Sequence, residues 1–103
     1  MDFKVQAEHL GLEEEEYREL IELFIESGTS DLEHLQNAIG GGKAEEAANF
    51  AHSLKGAAGN LGLLDCYEAA KKIETEVRNG DMKNITESVQ VLRKNIEEIS
   101  ALI

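Results

Sequence analysis

The chain has 103 residues and a formal net charge of −11, which allows one modest core and falls short of the length at which chains usually divide, so a single domain over residues 1 to 103 is expected. It contains no proline and no tryptophan, and it is rich in alanine, leucine, glutamate and lysine, a composition that favours an all-α fold over strands. Residues 1 to 40 hold eleven acids against Lys4 and Arg18, a field that repels nucleic-acid phosphates and anionic lipid and argues against DNA, RNA and membrane surfaces as partners.

In chain order, residues 3 to 10 read as a short leading helix ending at Gly11. From Glu13, the residues Tyr17, Leu20, Ile21, Phe24 and Ile25 recur at spacings of three and four, and Leu32, Leu35, Ala38 and Ile39 continue the series. Gly28 followed by "TSDLE" offers a stop and then a capping box, Ser30 with Glu33. The apolar register crosses that point with little slip, so one continuous helix from about 13 to 39 is predicted. "GGGK" at 40 to 43 is the strongest breaker in the chain; without the rest of a phosphate loop or a preceding strand it is a plain connection.

A helix follows from about Lys43 to Leu61, with Gly62 at the left-handed C-cap position. Leu64, Tyr67, Ala70, Ile73 and Val77 mark the next helix, from about 64 to 78, before "NGD". Met82, Ile85, Val89, Leu92, Ile96, Ile99 and Ile103 mark a last helix running to the C-terminus. Short connections make neighbouring helices antiparallel, which predicts an up-and-down four-helix bundle with a short N-terminal helix.

Cys66 is the single cysteine, so it has no internal disulfide partner, and a reducing, cytoplasmic setting is expected. Met1 opens no signal-peptide pattern and no apolar run approaches a membrane span, so a soluble monomer with no membrane contact is expected. The run "EEEE" at 13 to 16 reads as a solvated helix start favoured by the macrodipole. His9 and His34 read as surface residues, Cys66 as a small buried hydrophobe, and Tyr17 and Tyr67 as aromatics at the core edge with solvated hydroxyls.

The stretch "AHSLKGAAGNLG", residues 51 to 62, carries three glycines, although an interior helical glycine costs about 1 kcal/mol against alanine. On a wheel of about 100° per residue, Phe50, Leu54, Ala57 and Leu61 cluster on the core side, flanked by Ala47, Ala51 and Ala58. His52 falls nearly opposite, with Ala48, Lys55, Gly56 and Gly59 around it and Asn49 and Asn60 at the margin. Two explanations compete for this face. Its small residues allow another helix of the bundle to pack closely, or they keep a surface free of bulk for a partner whose backbone approaches His52. The large apolar residues lie on the other side, which favours the second.

Several chemistries are poorly supported at His52. A metal needs converging ligands, which His9 and His34 do not supply, and none is expected. Ser53 points about 100° away, so no serine triad forms. General acid or base work wants a cleft. A nucleophilic role remains: imidazole near its unperturbed pKa is largely neutral, with one ring nitrogen bearing a free lone pair that can attack phosphorus. A phosphoryl group there needs a cation. Lys55, one turn on, is a mobile point charge able to follow it, and Gly56 and Gly59 leave it room.

"HSLKG" at 52 to 56, followed by "AAGNLG" at 57 to 62, resembles the H-x-[LI]-K-G-x-x-x-x-[LIM]-G signature of histidine-containing phosphotransfer domains, unbroken over its length. The resemblance implies a bundle that shuttles phosphoryl groups between aspartates of response-regulator receiver domains, with His52 as acceptor through Nε2. It further implies that Lys55 steadies the group, Gly56 keeps the approach open and Gly62 forms the turn after the active helix. Binding contributions are expected from Gly56, Gly59, Ala48, Asn49 and Asn60. The implied partners are receiver domains and a histidine kinase, hybrid or not. The receiver brings the aspartate and Mg²⁺, so this domain needs no cofactor and is a phosphocarrier rather than an enzyme. Two alternatives are the phosphotransfer fragment of a chemotaxis-type kinase and a phosphorylation-independent helical adaptor. Phe3, Val5 and Leu10 either contribute an apolar docking patch or cover the end of the core.

Overall fold

Glycines in the left-handed region set the ends of the first four helices: Gly11, Gly42, Gly62 and Gly80 all have positive φ. At Gly62, φ is +72°, and the turn closes in Schellman fashion: Leu63 N–H donates to Ala58 O at 2.9 Å and Gly62 N–H to Gly59 O at 3.2 Å. The computed structural model describes residues 1 to 103. Its elements are α1 (Phe3–His9), α2 (Glu14–Gly40), α3 (Ala44–Asn60), α4 (Leu64–Arg78) and α5 (Ile85–Ser100), with no strand.

The long helix is unbroken across Gly28, as its apolar register predicts. Gly28 is buried, and a methyl group there would meet Leu54, Phe24 and Ile96 at 3.6 to 3.8 Å. Ser30 caps nothing; the capping bond is at the start of α2, where Glu13 N–H donates to Glu16 Oε1 at 3.0 Å. At 27 residues and about 1.5 Å per residue, α2 runs nearly the full 42 Å length of the molecule. The last helix starts later than Met82. Asp81 Oδ1 accepts from Lys83 N–H in a turn, α5 begins at Ile85, and it ends at Ser100, leaving Met82 and Ile103 exposed.

Contacts link α2 to α3, α3 to α4, α4 to α5 and α5 back to α2, while α1 lies on α2. The core sits inside that ring, with Ile21, Leu35, Leu54, Ile73 and Leu92 fully buried from four helices. Phe3 is buried, its ring 6.1 Å from that of Tyr17, with the Arg18 guanidinium carbon over the Phe3 ring at 4.7 Å from its centre. It therefore covers the end of the core, while Val5 and Leu10 stay exposed. No helix is long and apolar enough to cross a membrane.

Tyr17 departs from the expected core-edge position. It is fully buried, burial pushes its phenol up from the ordinary value, and its hydroxyl donates to Leu61 O at 2.7 Å. This bond ties the start of α2 to the turn after α3. Tyr17→Phe leaves that carbonyl without its donor and is expected to cost about 1–3 kcal/mol, read as a lower urea midpoint at unchanged slope. Cys66 is buried as expected, and burial, with Asp65 and Glu98 nearby, pushes its thiol up to about 11.

Candidate functional site

The buried stripe of α3 consists of Ala47, Ala48, Ala51, Leu54 and Ala58, whereas Phe50, Ala57 and Leu61 are only half-buried. The core side is thus turned towards the small residues relative to a wheel centred on the largest apolar ones. The cause is α4, which packs along the flank of α3 that such a wheel leaves bare. Two expected binding positions change accordingly. Ala48 is 2% exposed and belongs to the core. Gly59 faces the ring of Tyr67, whose Cδ2 would lie 3.3 Å from an added Cβ, so its smallness serves helix packing. Gly56 has open space where a Cβ would be, and Asn49 and Asn60 are exposed.

These two glycines give opposite expectations for alanine. Gly56→Ala meets nothing and is expected to raise stability by about 0.5–1 kcal/mol through helix propensity. Gly59→Ala must displace the Tyr67 ring and is expected to gain less or to destabilise. Paired thermal melts decide the point.

Close approach of α4 brings a carboxylate beside the histidine. Glu74, 7% exposed, presents Oε2 to His52 Nδ1 at 3.1 Å and Oε1 to Lys55 Nζ at 2.7 Å. The same Oε2 accepts from Arg78 Nε–H at 3.1 Å and lies 3.0 Å from Arg78 Nη2 in an ion pair. Burial alone would raise the Glu74 carboxyl pKa. The hydrogen bonds from Lys55 and Arg78, with the charges of Lys55 and His52, outweigh it and hold the group below the ordinary glutamate value. Glu74 is therefore an anion at neutral pH, able only to accept. Its partner Nδ1 must carry the proton, which leaves the lone pair of a neutral ring on Nε2.

The His52 side chain is 64% exposed, and Nε2 has no partner within the protein. An oriented imidazole therefore presents its nucleophilic nitrogen to solvent, with the Lys55 ammonium one turn along α3 and the Arg78 guanidinium on α4. Neither a cavity of about 540 Å³ beside Lys72, Thr75 and Val91 nor one of about 430 Å³ beside Gly62, Cys66 and Leu102 includes His52. The site is an open surface, suited to a reactant delivered by another macromolecule.

The other histidines stand apart from it: His9 ends α1, and His34 of α2 stacks on Phe50 at 5.2 Å between ring centres. No group of three or more His, Cys, Asp or Glu side chains is arranged to hold a metal ion.

Glu74 and Arg78 are absent from the sequence-based set. A glutamate among Lys71, Lys72, Thr75 and Glu76 reads as solvated surface. The available signal was its place one turn beyond Ala70, beside Ile73, on the edge of the apolar stripe of α4, with an arginine four residues later.

A family model described as Hpt domain matches residues 19–102. Comparison with curated proteins and with solved structures returned no match.

Proposed function

Because the chain belongs to the Hpt domain family, whose members carry phosphoryl groups in two-component signalling and interact with receiver domains and kinases, we propose that His52 relays a phosphoryl group between two receiver aspartates. The observation that carries this reading is the exposed Nε2 of a ring whose Nδ1–H is fixed by the Glu74 carboxylate. Nε2 attacks the phosphorus of a receiver aspartyl phosphate. The Nε2–P bond forms, the aspartate O–P bond breaks, and the carboxylate leaves with the electron pair. The Nδ1 proton stays in place, and Glu74 offsets the positive charge the ring acquires. In the reverse sense, a second aspartate attacks phosphorus and neutral imidazole leaves, so the same arrangement serves both directions.

Lys55 offers its remaining N–H groups to the phosphoryl oxygens, and the open face at Gly56 admits the loops of the receiver. Mg²⁺ belongs to the receiver in this reading; the domain is a cytoplasmic monomer that carries the group without a kinase activity of its own. The four long helices form an up-and-down antiparallel bundle over the single domain 1–103. Pairings support this: His52 meets Glu74 while Gly59 meets Tyr67, and Phe50 meets His34 while Leu61 meets Tyr17.

The test is a two-stage transfer with full-length protein. A phosphorylated receiver with Mg²⁺ is expected to pass one phosphoryl group to this chain, and the isolated phosphoprotein is expected to pass it to a second receiver. Phosphorylation only by an ATP-bound kinase domain, with no receiver active, selects the chemotaxis-type reading. Receiver binding that survives His52→Ala, with no transfer by the wild type, selects the adaptor. Gly56→Leu is expected to fold and to block transfer by crowding the face.

A further inference from the structure

Arg78 takes no part in the scheme above, and its position gives it a task. Its Nε and Nη2 rest on the same Glu74 oxygen that holds His52 Nδ1, at 3.1, 3.0 and 3.1 Å respectively. Nε and Nη2 are therefore no more than about 6 Å from His52 Nδ1, a limit fixed by contacts of about 3 Å on either side of one oxygen. The side chain is half exposed. Glu74 uses two of the five N–H donors of a guanidinium, which leaves three free in a rigid fork.

Where Arg78 lies along the site matters as much as its distance. Since His52 meets Glu74 and Gly59 meets Tyr67, Arg78 sits level with the turn of α3 that precedes His52, whereas Lys55 occupies the turn that follows. The buried methyl of Ala48 takes little of the space on that side. Two cations from two helices thus lie on either side of His52 along the axis of α3, both anchored by one carboxylate and both with donors to spare.

Charge balance calls for both. A phosphoryl group brings about two negative charges, against one positive charge on the phosphorylated ring protonated at Nδ1. With Glu74 ionised, Lys55 alone leaves the site with a net negative charge beside an already acidic chain. Lys55 and Arg78 together close the balance. As a structural residue, Arg78 would be only an exposed i,i+4 ion pair at a helix C-terminus, a weak role that gives its remaining N–H donors nothing to bind when His52 is phosphorylated.

We propose that Arg78 is a second phosphoryl-binding residue, gripping from α4 the group that Lys55 meets from α3. This deepens the phosphocarrier reading of His52 and rests on it. The full chain, labelled with ¹⁵N, is treated with phosphoramidate, which phosphorylates an accessible imidazole without a partner protein: Nε2–P forms, P–N breaks and ammonia leaves. The chain has three arginines, Arg18, Arg78 and Arg93, and the Nε–H signal missing from Arg78→Met identifies the one of interest.

In the wild type the Nη–H signals of that same guanidinium, which Glu74 leaves free, are expected to move and to exchange more slowly with water on phosphorylation, while those of Arg18 and Arg93 stay. Arg78→Met is expected to slow phosphoryl uptake by about 10- to 100-fold, the loss of one charge-assisted hydrogen-bonding group, with Arg78→Lys recovering part of the rate. An Arg78 signal that stays fixed with His52 phosphorylated overturns the proposal, as does uptake by Arg78→Met at the wild-type rate. If Arg78→Met does not fold, the wild-type signal and the rate of Arg78→Lys decide. Uptake from phosphoramidate with a moving Arg78 signal, but none from any receiver, sinks the relay reading and leaves the arginine contact standing. No uptake from either donor overturns both.

Discussion

His52→Gln is expected to abolish phosphoryl uptake while shifting unfolding free energy by no more than about 0.5 kcal/mol, the usual range for an exposed site. The side chain is 64% exposed, so little packing is lost. Glutamine can still donate an amide N–H to the Glu74 carboxylate, so no buried acceptor is orphaned. What it lacks is the nucleophile, because the amide nitrogen lone pair is delocalised into the carbonyl. Intact-mass measurement at neutral or alkaline pH reads the result after mixing with Mg²⁺ and a phosphorylated receiver. One added phosphoryl group, lost on mild acid treatment as a phosphoramidate bond should be, is expected on the wild type alone. A large loss of stability in the variant makes His52 a structural residue. Uptake that persists moves the acceptor to another exposed side chain, with His9 and His34 the histidines to test next.

The sequence carried the helices more fully than it carried their faces. Glycines at 11, 42, 62 and 80 end helices because each supplies a left-handed residue that β-carbons disfavour, and such positions are visible in one dimension. The continuity of α2 across Gly28 was visible too, since Leu32, Leu35 and Ala38 keep the register of Tyr17, Ile21 and Phe24. The rotation of α3 was not. Large apolar residues dominate a wheel, yet in this helix Ala47, Ala48, Ala51 and Ala58 are the more buried ones, because small side chains allow a neighbouring helix to come close. That close approach explains why Gly59 faces Tyr67 while Gly56, three residues earlier, faces open space. His52, Lys55 and Gly56 were legible because they lie within one turn of each other. Glu74 reaches the site from another helix across 22 positions of sequence, and nothing local marks a carboxylate as buried until its three cationic or proton-donating partners are in place.

Removing that carboxylate is expected to have two separable effects, one on transfer and one on acid stability. Glu74→Ala frees the His52 ring to rotate and to change tautomer, and it leaves the phosphorylated ring without its counter-charge. Loss of a carboxylate that orients a metal-ligating histidine typically costs about 10- to 100-fold, and by analogy a drop of that size in the transfer rate is expected here. Glu74→Gln retains an oxygen that can accept from Nδ1–H but carries no charge for Lys55 or Arg78, so it is expected to fall between the wild type and Glu74→Ala. The pH dependence isolates the charge. Glu74 titrates lower in the folded chain than the 4.5 of an ordinary glutamate, so below 4.5 the unfolded chain binds this proton more readily than the folded one. The contribution of the ionised group is therefore complete above that pH and is lost as pH falls through the lower, folded value. Urea midpoints between pH 3 and pH 7 are expected to fall less steeply on the acid side in Glu74→Gln than in the wild type, the two curves converging at the acid end. Parallel curves mean that Glu74 does not hold its proton more weakly when folded, and transfer by Glu74→Ala at the wild-type rate means that the ring needs no carboxylate to aim it.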